Sequence, residues 1–137
     1  MKQIILCIAL ASGIYAQSAH PEWETNGLLN GRFWKAQSET MKSGFVLGYA
    51  TGAYDAAGLI YARAGQDGKP ILKELFPRGM DSEEVALALD RFYATPENIP
   101  VVINAAIKII AKRAAGADEA TIQQAIANAR RSASSGK

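Results

Sequence analysis

Cysteine and histidine are almost absent from this sequence of 137 residues, which has one of each, Cys7 and His20. One histidine cannot form a multi-histidine metal site, and because His20 lies beside the expected cleavage point of an N-terminal signal peptide, we also expect no His-based catalytic triad. The GxSxG and P-loop patterns are absent as well. We therefore expect no enzymatic activity, no cofactor and no metal site, and we expect a function based on binding.

The chain also lacks a strong excess of one charge sign. It has 15 Lys and Arg residues against 13 Asp and Glu residues, which gives a formal net charge of +2 at pH 7. A dedicated nucleic-acid-binding protein usually has a clustered basic surface. The near-neutral balance argues against nucleic acid as a partner, and we expect the partner to be another protein.

The longest apolar run, residues 4–14, has the features of a signal peptide. Lys2 precedes the run, and small residues such as Ala16 follow it. The run is shorter than the ~20 residues that a membrane-spanning helix needs. Cys7 lies in the middle of the run, whereas a lipoprotein cysteine lies at its end. We predict that residues 1–16 are removed, that the protein is exported to the periplasm or secreted, and that it has no stable membrane insertion after cleavage.

The rest of the sequence has no clear strand pattern, because its apolar residues recur at the helical spacings of three and four. Residues 17–27 form a predicted extended lead-in with a turn at Asn26-Gly27. We assign 28–131 to a single helical domain and 132–137 to a flexible tail. The predicted fold class is all-α, a compact bundle of four or five helices.

Capping residues and helix breakers set the ends of the predicted helices. The predicted N-caps are Asn30, Ser38, Asp81 and Asp118. The predicted C-terminal stops are Gly65 and Gly116. The resulting helices cover 28–36, 38–64, 71–76, 81–94, 101–115 and 119–131, with a turn over 66–70.

Small residues recur at every fourth position of the helix over 38–64, at Gly44, Gly48, Gly52 and Ala56. Positions four apart lie on the same face of a helix, so these residues form one stripe with little side-chain bulk. A glycine inside a helix costs about 1 kcal/mol relative to alanine, which favours a close backbone contact as compensation. We predict that this helix is central and that the helix over 101–115 packs against the glycine stripe.

Asp55 is the only charged residue between Lys42 and Arg63, and it borders the glycine stripe. One interpretation is a partly buried functional carboxylate with a shifted pKa in a groove. The other is a structural aspartate that binds Arg91, Arg113 or the N-terminus of a helix.

Tyr54 and Tyr61 share a face of the same helix. Tyrosine is common in protein interfaces, so the pair is a candidate recognition surface. The alternative, which is the more common one, is core packing with each hydroxyl group at the rim.

Lys108 and Lys112, together with Arg113, form a basic set on the helix over 101–115. Such a set is most often a solvated helix face. The alternative is a site for an anionic partner. The glycine stripe likewise has a second interpretation, a helix-dimer face within a membrane, although Asp55 in mid-span would be costly in lipid.

Three short motifs together resemble a known group of proteins: Gly44-Phe45, Gly48-Tyr49 and Gly52; Val85, Phe92-Tyr93 and Pro96; and the alanine-rich helix around Ala105 and Ala106. This pattern is similar to that of small exported helical proteins related to type VI secretion amidase immunity proteins, the Tai-like group. The resemblance implies a periplasmic α-helical protein that binds and blocks a cell-wall amidase effector. It assigns no inhibitory residues in this chain.

Our leading hypothesis is an exported, non-enzymatic helical binding protein, with an immunity-type inhibitor of a cell-wall hydrolase as its specific form. The first alternative is a carboxylate-dependent envelope enzyme that uses Asp55. The second is a structural envelope protein that self-associates, for instance as a homodimer, through the glycine-striped helix.

Overall fold

Five helices and a short hairpin account for most of the described residues in the computed structural model, which are 20–65, 72 and 74–135. The helices are α1 (Gly31–Lys35), α2 (Glu39–Ala64), α3 (Ser82–Tyr93), α4 (Ile103–Ala114) and α5 (Glu119–Ser134). The all-α bundle is therefore confirmed. The predicted signal peptide at 1–16, the turn at 66–70 and the start of the predicted helix over 71–76 lie outside the described residues.

The predicted caps are found at the helix ends. Asn30, Ser38 and Asp118 each accept a hydrogen bond from a backbone N–H in the first turn of their helix. Asp81 and Glu84 form a complete capping box at the start of α3. Because caps satisfy local backbone donors, the sequence alone locates these ends well. The last helix continues to Ser134, past the predicted end at 131, so part of the predicted tail is helical.

A small hairpin precedes α1, where the sequence predicted an extended lead-in followed by a helix from residue 28. Strands β1 (Glu24–Thr25) and β2 (Leu28–Leu29) pair antiparallel. Both residues of the predicted turn have positive φ, 54° at Asn26 and 74° at Gly27. A two-residue turn with two positive φ angles matches the twist of antiparallel strands, so it favours pairing of Leu28 and Leu29 over helix formation.

Helix α3 is the shared element of the bundle. Helix α2 packs against α3, and α4 packs against both α3 and α5. The buried residues of α3 cover a wide face: Val85, Ala86, Leu89, Phe92 and Tyr93. The prediction that the helix over 101–115 packs against α2 is therefore wrong, because α3 provides the apolar surface for both neighbours.

The glycine stripe of α2 faces solvent, contrary to the prediction. Gly44, Gly48, Gly52 and Ala56 are exposed. A Cβ atom added to any of the three glycines would meet no atom within 4 Å. The face of α2 that packs inward is the one with larger side chains: Lys42, Phe45, Val46, Tyr49, Ala53 and Ala57. Burying those side chains removes more apolar area from water than burying glycines would.

A carboxylate on α3 joins three helices. Asp90 Oδ1 accepts hydrogen bonds from Lys42 Nζ of α2 at 2.8 Å and from Trp34 Nε1 of α1 at 2.8 Å. Lys42 Nζ also binds Glu39 Oε1 at 3.0 Å. Burial alone would lower the pKa of Lys42, but the hydrogen bonds and charges of Asp90 and Glu39 outweigh burial and raise it.

A second buried contact connects the end of α3 to the segment before α4. Tyr93 is almost fully buried, and its hydroxyl group donates a hydrogen bond to the Val101 carbonyl oxygen at 2.9 Å. Burial raises the pKa of Tyr93. Its ring packs on Gly31, where any side chain would collide with it. This contact fixes the position of α1 relative to α3.

We expect Asp90→Ala to lower the free energy of unfolding by about 2–4 kcal/mol, because it leaves the buried ammonium group of Lys42 without its main partner. Glu39→Ala is the matched control, since the side chain of Glu39 is 77% exposed and its loss is expected to cost less than about 1 kcal/mol. Urea denaturation measures both. Equal losses in the two variants would contradict the structural role of Asp90.

We expect stability to fall above pH ~10, the ordinary pKa of tyrosine, because unfolded Tyr93 ionises there while folded Tyr93 keeps its proton. The unfolded state then binds fewer protons, so this residue lowers the free energy of unfolding by about 1.4 kcal/mol per pH unit. Tyr93→Phe is expected to cost about 1–2 kcal/mol at neutral pH and to remove this part of the alkaline slope. Urea denaturation from pH 8 to 11 measures it, and identical slopes would refute the assignment.

Candidate functional site

The structure places Asp55 on the exposed side of α2. Within the described residues it makes no hydrogen bond or ion pair, so it is not tied to Arg91 or Arg113. Both the predicted partial burial and the predicted structural pairing are therefore wrong. The physical reason is the rotation of α2, which turns the glycine stripe and its neighbour Asp55 away from the core.

Tyr54 and Tyr61 are also on the exposed side of α2, and the core-packing interpretation is wrong for both. Leu47 precedes Tyr54 by seven residues, and Tyr61 follows it by seven, so the three side chains form a row along one edge of the helix. Met41 and Leu59 are exposed on the same helix. The exposed fractions of these five residues range from 54% to 65%.

We define the outer face of α2 as Met41, Leu47, Tyr54, Leu59 and Tyr61 together with Gly44, Gly48 and Gly52. Between Lys42 and Arg63 the only charged residue is Asp55. A solvent-facing helix surface normally has many charged residues opposite its apolar face. The outer face of α2 is therefore unusual because it is apolar and has little charge. At the glycines, no side chain projects from the helix.

A groove of about 550 Å³ lies between α3, α4 and α5. Arg91 of α3, Arg113 of α4 and Arg130 of α5 line it, together with apolar side chains that include Phe92, Ile110 and Ile126. We call this the arginine groove. Lys108 and Lys112 are exposed on α4 but do not line the groove, so only Arg113 of the predicted basic set contributes to it.

The three guanidinium groups have different partners. Arg130 Nε donates to Oδ1 of Asn98 at 2.9 Å, and Asn98 is buried and donates in turn to the Phe92 carbonyl oxygen at 2.7 Å. Arg113 Nη2 lies 3.2 Å from Glu119 Oε1. Arg91 makes no ion pair within the described residues. The residues that line the groove include no Asp or Glu.

Sequence reasoning missed the groove, although one signal was present. Arg130 follows Ile126 and Ile122 at spacings of four, so it continues the buried stripe of α5 with a charged residue. A charge on the apolar face of a helix needs a partner or a function. Arg130 also lies near the C-terminus of its helix, where the helix dipole favours a positive charge, and this simpler explanation accounts for the same residue.

The three arginines of the groove can donate hydrogen bonds to an anion. Arginine donates up to five hydrogen bonds and pairs well with carboxylates and phosphates.

Across residues 20–65, 72 and 74–135, no group of three or more His, Cys, Asp or Glu residues is placed to hold a metal ion. No helix among these residues is long and apolar enough to cross a bilayer.

Comparisons with protein-family models, with curated proteins and with solved structures find no match for this chain. The outer face of α2 and the arginine groove are the two candidate binding surfaces among the residues that the structure describes.

We expect Gly48→Ala to raise the free energy of unfolding by about 0.5–1 kcal/mol, because alanine favours the helix and the new methyl group meets no atom. Gly31→Ala is the contrasting control. Its Cβ would lie 2.7 Å from Cε1 of Tyr93 and 2.9 Å from the Ile99 carbonyl oxygen, so we expect a loss of about 1–3 kcal/mol. Thermal and urea denaturation measure both, and destabilisation by Gly48→Ala would contradict the exposed position of the stripe.

Proposed function

We propose that this protein is an exported, non-enzymatic binding protein that docks on another protein through the outer face of α2. The observation that supports the proposal is the combination of exposed apolar side chains and missing charge on that face. Exposed apolar patches mark interaction sites on soluble proteins. Interface centres are also depleted in charged residues and enriched in tyrosine and methionine.

The shape of the outer face fits a partner that approaches closely. Tyr54 and Tyr61 present large amphipathic side chains, and Leu47 extends their row toward the N-terminus of α2. Gly44, three residues before Leu47, and Gly58, four residues after Tyr54, lie beside the row and leave room for the backbone of a partner segment. The row formed by Leu47, Tyr54 and Tyr61 would then supply most of the binding energy, because buried tyrosines are frequent hot spots.

The resemblance to the Tai-like group suggests the class of partner. It favours a cell-wall hydrolase, in particular an amidase effector, that the protein holds in an inactive state in the periplasm. The outer face of α2 would act by covering the partner's surface, since an inhibitor of this kind needs no reactive group.

The test is capture of a partner from envelope extracts by the tagged full chain, followed by affinity measurement with the purified partner. We expect Leu47→Lys and Tyr54→Lys each to weaken binding at least about tenfold, because a lysine would be buried in the interface without a counter-charge. Leu87→Lys is the matched control. Leu87 is 52% exposed on α3, so the same substitution there should leave the affinity unchanged.

Several outcomes would contradict the proposal. If the Leu87→Lys control weakens binding as much as Leu47→Lys, the outer face is not the docking surface. If no partner is retained and the protein hydrolyses cell-wall substrate in an Asp55-dependent manner, the carboxylate enzyme is the correct alternative. If sedimentation shows a dimer that Leu47→Lys dissociates, the outer face pairs with a second copy of this chain.

A further inference from the structure

We propose that the arginine groove is a second binding site, specific for a small amphipathic carboxylate with one anionic end and an apolar body. This proposal is independent of the docking function, because the groove lies between α3, α4 and α5 and no residue of α2 lines it. Its volume of about 550 Å³ falls within the range of roughly 300–1,000 Å³ that is usual for small-molecule pockets.

Arg130 is positioned to receive a carboxylate. The bond of its Nε to the buried Asn98 fixes the guanidinium plane, and Asn98 is itself held by the Phe92 carbonyl group. Within the described residues no hydrogen bond engages the two terminal nitrogens of Arg130. These two nitrogens form an edge of parallel N–H donors, which matches the two oxygens of one carboxylate.

The charge of the groove is not balanced by the protein. Three arginines line it, none of the lining residues that the structure describes is acidic, and within 20–65, 72 and 74–135 only Arg113 has a carboxylate partner, Glu119. Positive groups in a cleft with apolar walls focus the potential and attract anions. An anionic ligand would supply the charge that the lining lacks.

The walls of the groove select for an apolar body attached to the anion. Met80 and Ala88 border the groove and are half-buried, and Phe92, Ile110 and Ile126 reach it with 8% of each residue exposed. A free inorganic anion would leave these walls in contact with water. A ligand with an alkyl body covers them and gains the free energy of apolar burial.

The experiment is a calorimetric titration of the full chain with decanoate at low salt. Decanol tests the contribution of the carboxylate, and decyltrimethylammonium tests the sign of the charge. We expect saturable binding of decanoate, at least tenfold weaker binding of decanol, no binding of the cation, and a decrease in decanoate affinity as salt is added.

The variants test whether the arginines recognise the ligand. We expect Arg130→Gln to weaken decanoate binding at least tenfold, and Arg130→Lys to weaken it less, because lysine keeps the charge but loses the paired donors. Lys112→Gln removes the same charge from α4 outside the groove and should have little effect. If Arg130→Gln fails to fold, Arg91→Gln decides, because Arg91 is exposed and makes no ion pair within the described residues; we expect it to weaken binding at least threefold.

The proposal is overturned if decanoate shows no saturable binding, if decanol binds as tightly, or if the folded arginine variants keep the affinity of the unchanged protein. Tighter binding of an apolar peptide that contains glutamate would assign the groove to a protein partner and would also overturn the small-ligand proposal. Loss of the protein-docking function in Leu47→Lys with decanoate binding intact would separate the two sites.

Discussion

The contact of α2 with α3 combines the apolar face of α2 with the ion pair between Lys42 and Asp90, and the rotation of α2 in this contact determines which surface the protein presents. Lys42 points inward because its ammonium group binds Asp90. Helix geometry then turns Val46, Tyr49 and Ala53 inward as well. Everything on the opposite side of α2, including the glycines, has to face solvent. The ion pair near the start of this helix of 26 residues and the apolar side chains along it favour the same orientation.

The interactions that the sequence could predict are local ones. The caps at Ser38, Asp81 and Asp118 depend on atoms within three residues of each other, and all three are found. The turn at Asn26-Gly27 was also evident, although the strands on either side of it were missed because each has only two residues. Element ends and helical class are therefore readable from the chain.

The rotation of α2 was not predictable in this way. A stripe of small residues is compatible with close packing and with exposure, since both leave the same periodic pattern. The rotation depends on the packing of α2 against α3, and the ion pair in that contact joins Lys42 to Asp90, which are 48 residues apart in the sequence. The arginine groove has the same origin, because Arg91, Arg113 and Arg130 come together only when α3, α4 and α5 are packed. Each arginine alone looks like an ordinary surface residue near a helix end.

Helix α3 connects the two candidate surfaces without belonging wholly to either. Asp90 is directed toward α2, while the next two residues, Arg91 and Phe92, line the groove. Successive residues of a helix are about 100° apart around its axis. The side chains of consecutive residues therefore point toward different sides of the bundle. The same helix packs against α2 and α4, which holds the outer face and the groove in a fixed relation. A protein built in this way can dock through one side while a ligand occupies the other. Both surfaces are held in place by α3, but they have no residues in common.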